Sequence, residues 1–269
     1  MGNSPVHTPR KRFGQNFLHD PGIIRRIVQA IAPQADDNLV EIGPGQGAIT
    51  TELLPLLNHM HAIELDRDLI EPLARRCGAL GELQIHNTDA LKFDFSSLAE
   101  PGRPLRVVGN LPYNISTPLL FHLLDQSTHI KDMHFMLQKE VVDRMAAGPG
   151  TKIYGRLSVM LQARANVSSL FHIGPGAFNP PPKVDSAFVR LQPWETSPYL
   201  IEDWEVFGRV VAQAFSQRRK TLRNSLKQLL DEETIVAAGL APGIRAEQLS
   251  VEDFATLSNH AAKSLNTTE

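Results

Sequence analysis

The sequence predicts an α/β chain: a mostly parallel, doubly wound sheet with an antiparallel edge hairpin, followed by a small all-α C-terminal domain. Short apolar runs alternate with helical periodicity from Leu39 to Leu137, the pattern of strands covered by helices on both faces. After the linker-like run Pro193 to Pro198, helical spacing returns without strands, in Val206, Val210, Val211 and Ala214 and then in Leu222, Leu226 and Leu229. With 269 residues, 42% hydrophobic and 21% charged, the chain has the make-up of a soluble globular protein with one full domain and a smaller one. The boundary is placed near Thr196, giving segments 1–195 and 196–269.

The elements follow in order. Asp20-Pro21 is a helix start, a capping side chain followed by proline at the first helical position, and Ile23, Ile24, Ile27, Val28 and Ile31 recur at helical spacing behind it. Leu39 to Ile42 reads as a strand ending in glycines and Ala48 to Leu57 as a helix. His61 to Leu65 reads as the next strand and Asp68 to Arg76 as its helix. Leu83 to His86, Arg106 to Gly109 and Met133 to Leu137 continue the series as strands. Past Gly148 the pattern changes. Leu157 to Ala163 reads as a helix, and the strands Val167 to Ile173 and Ala187 to Leu191 are joined through Gly174-Pro175-Gly176 and Pro180-Pro181-Pro182, which predicts the edge hairpin.

The net charge of -2 shows no pull toward nucleic acid, but its distribution does. Between Asp36 and Glu100 twelve acidic residues stand against four basic ones, whereas Arg209 to Lys227 holds six basic residues and no acid. Five basic residues against Asp20 mark Arg10 to Arg26, and Lys139 to Arg190 holds seven against three. An acidic half between basic strips points to nucleic-acid contact, with solvated helix faces as the alternative. The single cysteine, Cys77, makes no internal disulfide, which fits a reducing, cytoplasmic compartment. Met1 to Arg12 holds no apolar signal core and no run reaches bilayer length, so no membrane partner is expected. Val6 stands where a myristoylation signal needs Ser or Thr. His59 and His61 share a strand without a third ligand at metal spacing, so no metal is expected.

The sharpest motif is Glu41-Ile42-Gly43-Pro44-Gly45-Gln46-Gly47, between a strand and a helix. Glycines there let the backbone turn tightly and approach a ligand, although a plain tight turn needs them too. The next strand ends in Glu64-Leu65-Asp66, where a carboxylate can accept both hydroxyls of a ribose; dinucleotide enzymes share this arrangement. After the third strand, Asp89 can accept from an adenine amine or cap a turn. The decisive run is Asn110-Leu111-Pro112-Tyr113. The Asn110 side-chain oxygen and the Leu111 carbonyl can take the two hydrogens of an exocyclic amine, while Tyr113 stacks on the base.

These residues resemble the ribosomal RNA adenine dimethyltransferase family over almost the whole chain, and Phe13-Gly14-Gln15-Asn16-Phe17-Leu18 resembles its N-terminal cofactor clamp. Phe178-Asn179-Pro180-Pro181-Pro182-Lys183-Val184-Asp185-Ser186 resembles a second signature, in which Phe178 lies on the opposite face of the target adenine. The resemblance implies a Rossmann-like class I methyltransferase fold and S-adenosyl-L-methionine held by Asn16, Leu18, Gly43, Glu64, Asp89 and Asn110. The catalytic set it implies is Asn110, Leu111, Tyr113 and Phe178. The tail Phe215-Ser216-Gln217-Arg218-Arg219-Lys220 is similar to that of the bacterial small-subunit members, which implies dimethylation of two adjacent adenosines near the 3′ end of 16S rRNA by a monomer during subunit biogenesis. Arg10, Lys11, Arg12, Arg218, Arg219, Lys220 and Arg223 are the candidates for RNA phosphate contacts. Competing functions are a nicotinamide dehydrogenase, an adenine methyltransferase acting on 23S rRNA or DNA, and a non-catalytic assembly factor on the same scaffold.

Overall fold

The computed structural model describes residues 16–266. In chain order the elements are β1 (Phe17–Leu18), α1 (Pro21–Ile31), β2 (Asn38–Ile42), α2 (Thr50–Leu53), β3 (His59–Ile63), α3 (Arg67–Cys77), β4 (Glu82–His86), β5 (Leu105–Asn110), α4 (Ser116–Leu124) and β6 (Ile130–Gln138). There follow α5 (Lys139–Met145), α6 (Arg156–Gln162), β7 (Ala165–Ile173), β8 (Phe178–Asn179), β9 (Ser186–Pro193), α7 (Trp204–Ala214), α8 (Leu222–Leu226), α9 (Glu232–Ala237) and α10 (Val251–Asn266). The chain divides into two compact units, one running to Val142 and resuming over Ser168–Pro193, the other made of Asp143–Val167 and everything from Trp194 onward.

The first unit is built on a seven-stranded sheet in the order β4-β3-β2-β5-β6-β9-β7. The first five of these strands are parallel and β9 runs antiparallel to β6. β9 and β7 are neighbours at the edge, where the proline-rich segment turns the chain back. All five residues of β2 are buried, as a central strand covered on both faces requires. The Asp20 carboxylate accepts the N–H groups of Gly22 and Ile23 at 2.7 and 2.9 Å, with Pro21 opening α1. Ile27 and Ile31 of that helix pack in one core with Leu39, Leu53, Met60, Leu73, Val108 and Phe188.

Some boundaries differ from those expected. The helix expected over Ala48 to Leu57 is α-helical only over Thr50–Leu53 and tightens into a 3-10 turn at Leu54–Leu56, because Pro55 has no N–H to continue the ladder. β3 begins at His59 and ends at Ile63, before the expected end at Leu65. Leu65 is one of the exposed apolar side chains, already in the loop.

The second unit is helical, with Phe207, Val210, Leu222, Phe254 and Leu257 in its core. Ala147, Tyr154, Val159 and Ala163 belong to the same core, so the segment 143–167 goes with this unit and not with the segment 1–195 in which the sequence boundary put it. The apolar face of α6 finds its partner far downstream, on α7, and linear order carries no sign of that.

Candidate active site

A cavity of about 350 Å³ opens at the carboxyl ends of the parallel strands, within the first unit. Its size suits a small-molecule site, and in open α/β sheets ligands bind at that edge. The loops after β2, β3 and β4 contribute Gly43, Glu64 and Asp89, and the end of β5 contributes Asn110, Leu111 and Tyr113. Asn16, Leu18 and Phe178 complete the wall from the small sheet in which β1 pairs antiparallel with β8. Residues expected at the cofactor and target-base ends therefore share one cavity.

The glycine loop is held from several sides. Gly43 and Gly45 have φ of 67° and 58°, in the left-handed region that glycine occupies without strain. A Cβ on Gly45 would lie 3.1 Å from a Phe17 ring carbon, so the aromatic ring covers the loop directly. Arg76 of α3 donates to the Gln46 carbonyl at 2.8 Å. On β5, a Cβ at Gly109 would come 2.6 Å from the Ile42 carbonyl oxygen; only glycine lets the strand ending in Asn110 lie this close to β2.

Glu64 is buried and among the described residues takes only neutral donors. Its Oε2 accepts the Gly45 N–H at 3.2 Å and its Oε1 the Asp66 N–H at 2.8 Å. Burial raises its pKa, the N–H groups of Asp66, Gly45 and Leu65 oppose that, and the Asp66 charge adds to the rise. Asn87 donates to the Glu64 carbonyl at 2.8 Å and ties the end of β4 to that of β3. Asp89 does cap a turn, its Oδ1 accepting the Leu91 N–H at 3.0 Å, and it also lines the cavity.

Glu41 is a site residue the motif contained but the sequence reading gave no role. It lines the cavity at 2% exposure, with Thr50 donating its hydroxyl at 2.6 Å. Burial and the nearby Glu64 charge push its carboxyl up to about 7, against the Thr50 hydrogen bond. A polar residue inside an otherwise apolar strand was the one available signal.

At the other end, Asn110 Nδ2 donates to the Asn16 carbonyl at 3.0 Å. A carbonyl only accepts, so the amide nitrogen must face Asn16 and the side-chain oxygen remains as the acceptor. The Tyr113 hydroxyl lies 3.2 Å from Ser186 Oγ, a buried partner that fixes the ring. Phe178 is 3% exposed and packs in one core with Leu18 and Ile173.

The basic candidates divide. Arg218, Arg219, Lys220 and Arg223 are exposed in the second unit. Arg218 pairs with Glu247 at 3.3 Å and reaches the Lys152 carbonyl, and Arg223 pairs with Glu232 at 2.9 Å. Arg219 and Lys220 make no ion pair among the described residues. Arg10, Lys11 and Arg12, like Phe13 to Gln15, lie outside the described residues. Among the described residues no helix is long and apolar enough to cross a membrane, and no cluster of His, Cys, Asp or Glu is placed to hold a metal ion.

A glycine loop, acids after the two following strands and an Asn-Leu-Pro-Tyr turn, all on one edge of a doubly wound sheet, define a Rossmann-like enzyme of the nucleoside-cofactor methyltransferase class. A sequence model described as ribosomal RNA adenine dimethylase matches residues 6–263, and the chain belongs to that family. It is 57% identical over 257 residues to ribosomal RNA small subunit methyltransferase A of Pseudomonas aeruginosa, covering 96% of each chain. The protein of that name from Saccharophagus degradans is 58% identical over 253 residues, covering 94% of each. A crystal structure of a dimethyladenosine transferase from Plasmodium falciparum superposes with a TM-score of 0.74 at 28% identity, covering 89% of this chain and 95% of that one. The 23S rRNA methyltransferase ErmE, at 24% identity, TM-score 0.72 and 92% and 100% coverage, shares the fold.

Proposed function

We propose that the chain dimethylates the exocyclic N6 of two adjacent adenosines near the 3′ end of 16S rRNA, in the assembling small ribosomal subunit of the cytoplasm, with S-adenosylmethionine as donor. The cavity residues fit that donor. Glu64 offers a buried carboxylate to a ribose diol, and Asp89 keeps an oxygen for an adenine amine. S-adenosylmethionine would supply an electrophilic methyl group on a sulfonium, the S–CH3 bond breaking as the N–C bond forms and leaving neutral S-adenosylhomocysteine.

The chain's own part is placement. The N6 lone pair of adenine is delocalised into the ring and attacks poorly. Asn110 Oδ1 and the Leu111 carbonyl accept its two N–H groups and favour a pyramidal nitrogen whose lone pair points out of the plane. Tyr113 and Phe178 replace the stacking the adenosine loses on leaving its strand. As the new N–C bond forms, the nitrogen gives up one proton to water. An anilinium-like nitrogen is acidic enough to do so without a strong base. The second transfer then uses the remaining N–H with one acceptor engaged.

The observation carrying this reading is the Asn110-Leu111-Pro112-Tyr113 turn in the same cavity as Glu64 and Asp89, with the Asn110 amide nitrogen already occupied by Asn16. The test is incubation with labelled S-adenosylmethionine and undermethylated small subunits, followed by mapping of the label. Two neighbouring dimethylated adenosines near the 3′ end of 16S rRNA are expected. Label confined to 23S rRNA or duplex DNA, or none despite particle binding, overturns the proposal.

A further inference from the structure

One short element touches both ends of the cavity. β1 consists of Phe17 and Leu18, and the ring of Phe17 rests on the glycine loop, with two of its carbons 3.1 and 3.2 Å from where a Gly45 Cβ would be. Gly45 in turn donates to Glu64 at 3.2 Å. On its other side, β1 pairs with β8, Leu18 opposite Phe178 and Phe17 opposite Asn179, and the His19 N–H donates to the Ala177 carbonyl at 2.9 Å. The preceding carbonyl, that of Asn16, accepts from Asn110 at 3.0 Å. The cofactor loop thus meets one face of this segment, while Asn110 and Phe178 meet the other.

Two paired residues a side are far fewer than an independent sheet needs, so this pairing persists only through what anchors it. The anchor facing the glycine loop is the Phe17 ring. We propose that Phe17 is a positioning residue that couples occupancy of the cofactor end to assembly of the target-base end. A ligand lying across Gly45 and Glu64 fixes the loop; the fixed loop seats the ring; the seated ring holds β1 against β8, and with it Phe178 and the carbonyl that orients Asn110. The entropy of ordering this segment is then met by the first ligand and no longer opposes the second. By linkage the effect is reciprocal, so the target base tightens the cofactor by the same factor. The inference rests on the reading of the cavity as a cofactor and adenosine site.

The test uses the full chain, S-adenosylhomocysteine as the probe, and no RNA. Calorimetry measures binding of the probe to wild type, Phe17→Ala and Phe17→Leu. Hydrogen exchange of residues 177–179 is then followed at saturating probe. In wild type the probe slows exchange there by about tenfold; in Phe17→Ala, with the probe bound, by under about twofold; Phe17→Leu falls between. Equal slowing in wild type and Phe17→Ala, or none in wild type with the probe bound, overturns the coupling. Where Phe17→Ala does not fold, Phe17→Leu carries the test, and slowing equal to wild type overturns it. Failure of wild type to bind the probe is a different result: it removes the cofactor reading itself.

Discussion

The two ends of the parallel sheet bury charge in opposite ways. At the amino end, Arg106 of β5 donates to Asp132 through Nε and Nη2 at 3.0 and 2.8 Å, to Asp37 through Nη1 at 2.6 Å, and to the Ile31 carbonyl at the end of α1 at 2.7 Å. Burial works against the guanidinium charge, but the bonds and charges of Asp132 and Asp37 outweigh it and raise the Arg106 pKa. Burial likewise opposes the Asp37 charge, and the Gln34 N–H together with Arg106 hold its carboxyl below the usual range. At the carboxyl end, Glu41 and Glu64 receive only neutral donors, no cation pairs with either among the described residues, and both are pushed upward. Paired buried charge locks the sheet to α1. Unpaired buried acid costs stability in the free protein.

That contrast can be broken most forcefully at its stable end. Arg106→Leu leaves the buried Asp132 without its guanidinium, Asp37 with only Lys131 at 3.8 Å, and an unmet helix carbonyl, and denaturant unfolding should show a loss of about 3–5 kcal/mol. A loss below about 1 kcal/mol would erase the distinction between the ends. At the other end, Asn110→Ala should cut single-turnover methyl transfer by about 10²–10³-fold with cofactor affinity largely kept. Unchanged transfer to small subunits would sink the proposed placement chemistry.

Glu41→Gln sharpens the comparison through pH. The folded pKa of Glu41, about 7, lies above its ordinary 4.5, so the protonated carboxyl's contribution is present below 4.5 and lost as pH rises through 7. The variant should gain on wild type across that window and stay ahead above it, by about 2–3 kcal/mol at most, read from urea unfolding at pH 5 and pH 8. A gain that is larger at pH 5 than at pH 8 would refute the assignment. The smallest effect is expected on the second unit's surface. Replacing Arg219 and Lys220 by Ala should lower the salt dependence of particle binding by about 1.5 in log–log slope. Replacing Arg218 and Arg223 should change it less, since both already meet carboxylates, and equal effects would show that those ion pairs open on binding.

Much of the site was legible because it follows rules of local spacing. Gly43 and Gly45 stand where a strand must turn into a helix, Glu64 and Asp89 stand at strand ends, and Asn110 to Tyr113 carries its chemistry in four consecutive residues. Less legible was whatever depended on a neighbour distant in sequence. The basic tail reads as surplus charge because Glu232 and Glu247, the partners of Arg223 and Arg218, lie outside Arg209 to Lys227. The 143–167 segment looked like part of the sheet domain because its core partners come later in the chain.

The sequence by itself determined the class of fold, the order of the motifs and the residue types at the cavity, since strand and helix periodicity and glycine chemistry act over a few residues. Tertiary structure alone decided that the Glu41 carboxyl is pushed up to about 7, that Arg106 holds two carboxylates and a helix end, and that β1 sets Phe17 on the glycine loop and Leu18 opposite Phe178. The reason is physical: desolvation, ion pairing and close packing are set by what lies within a few ångströms in space, and chain order does not specify that neighbour.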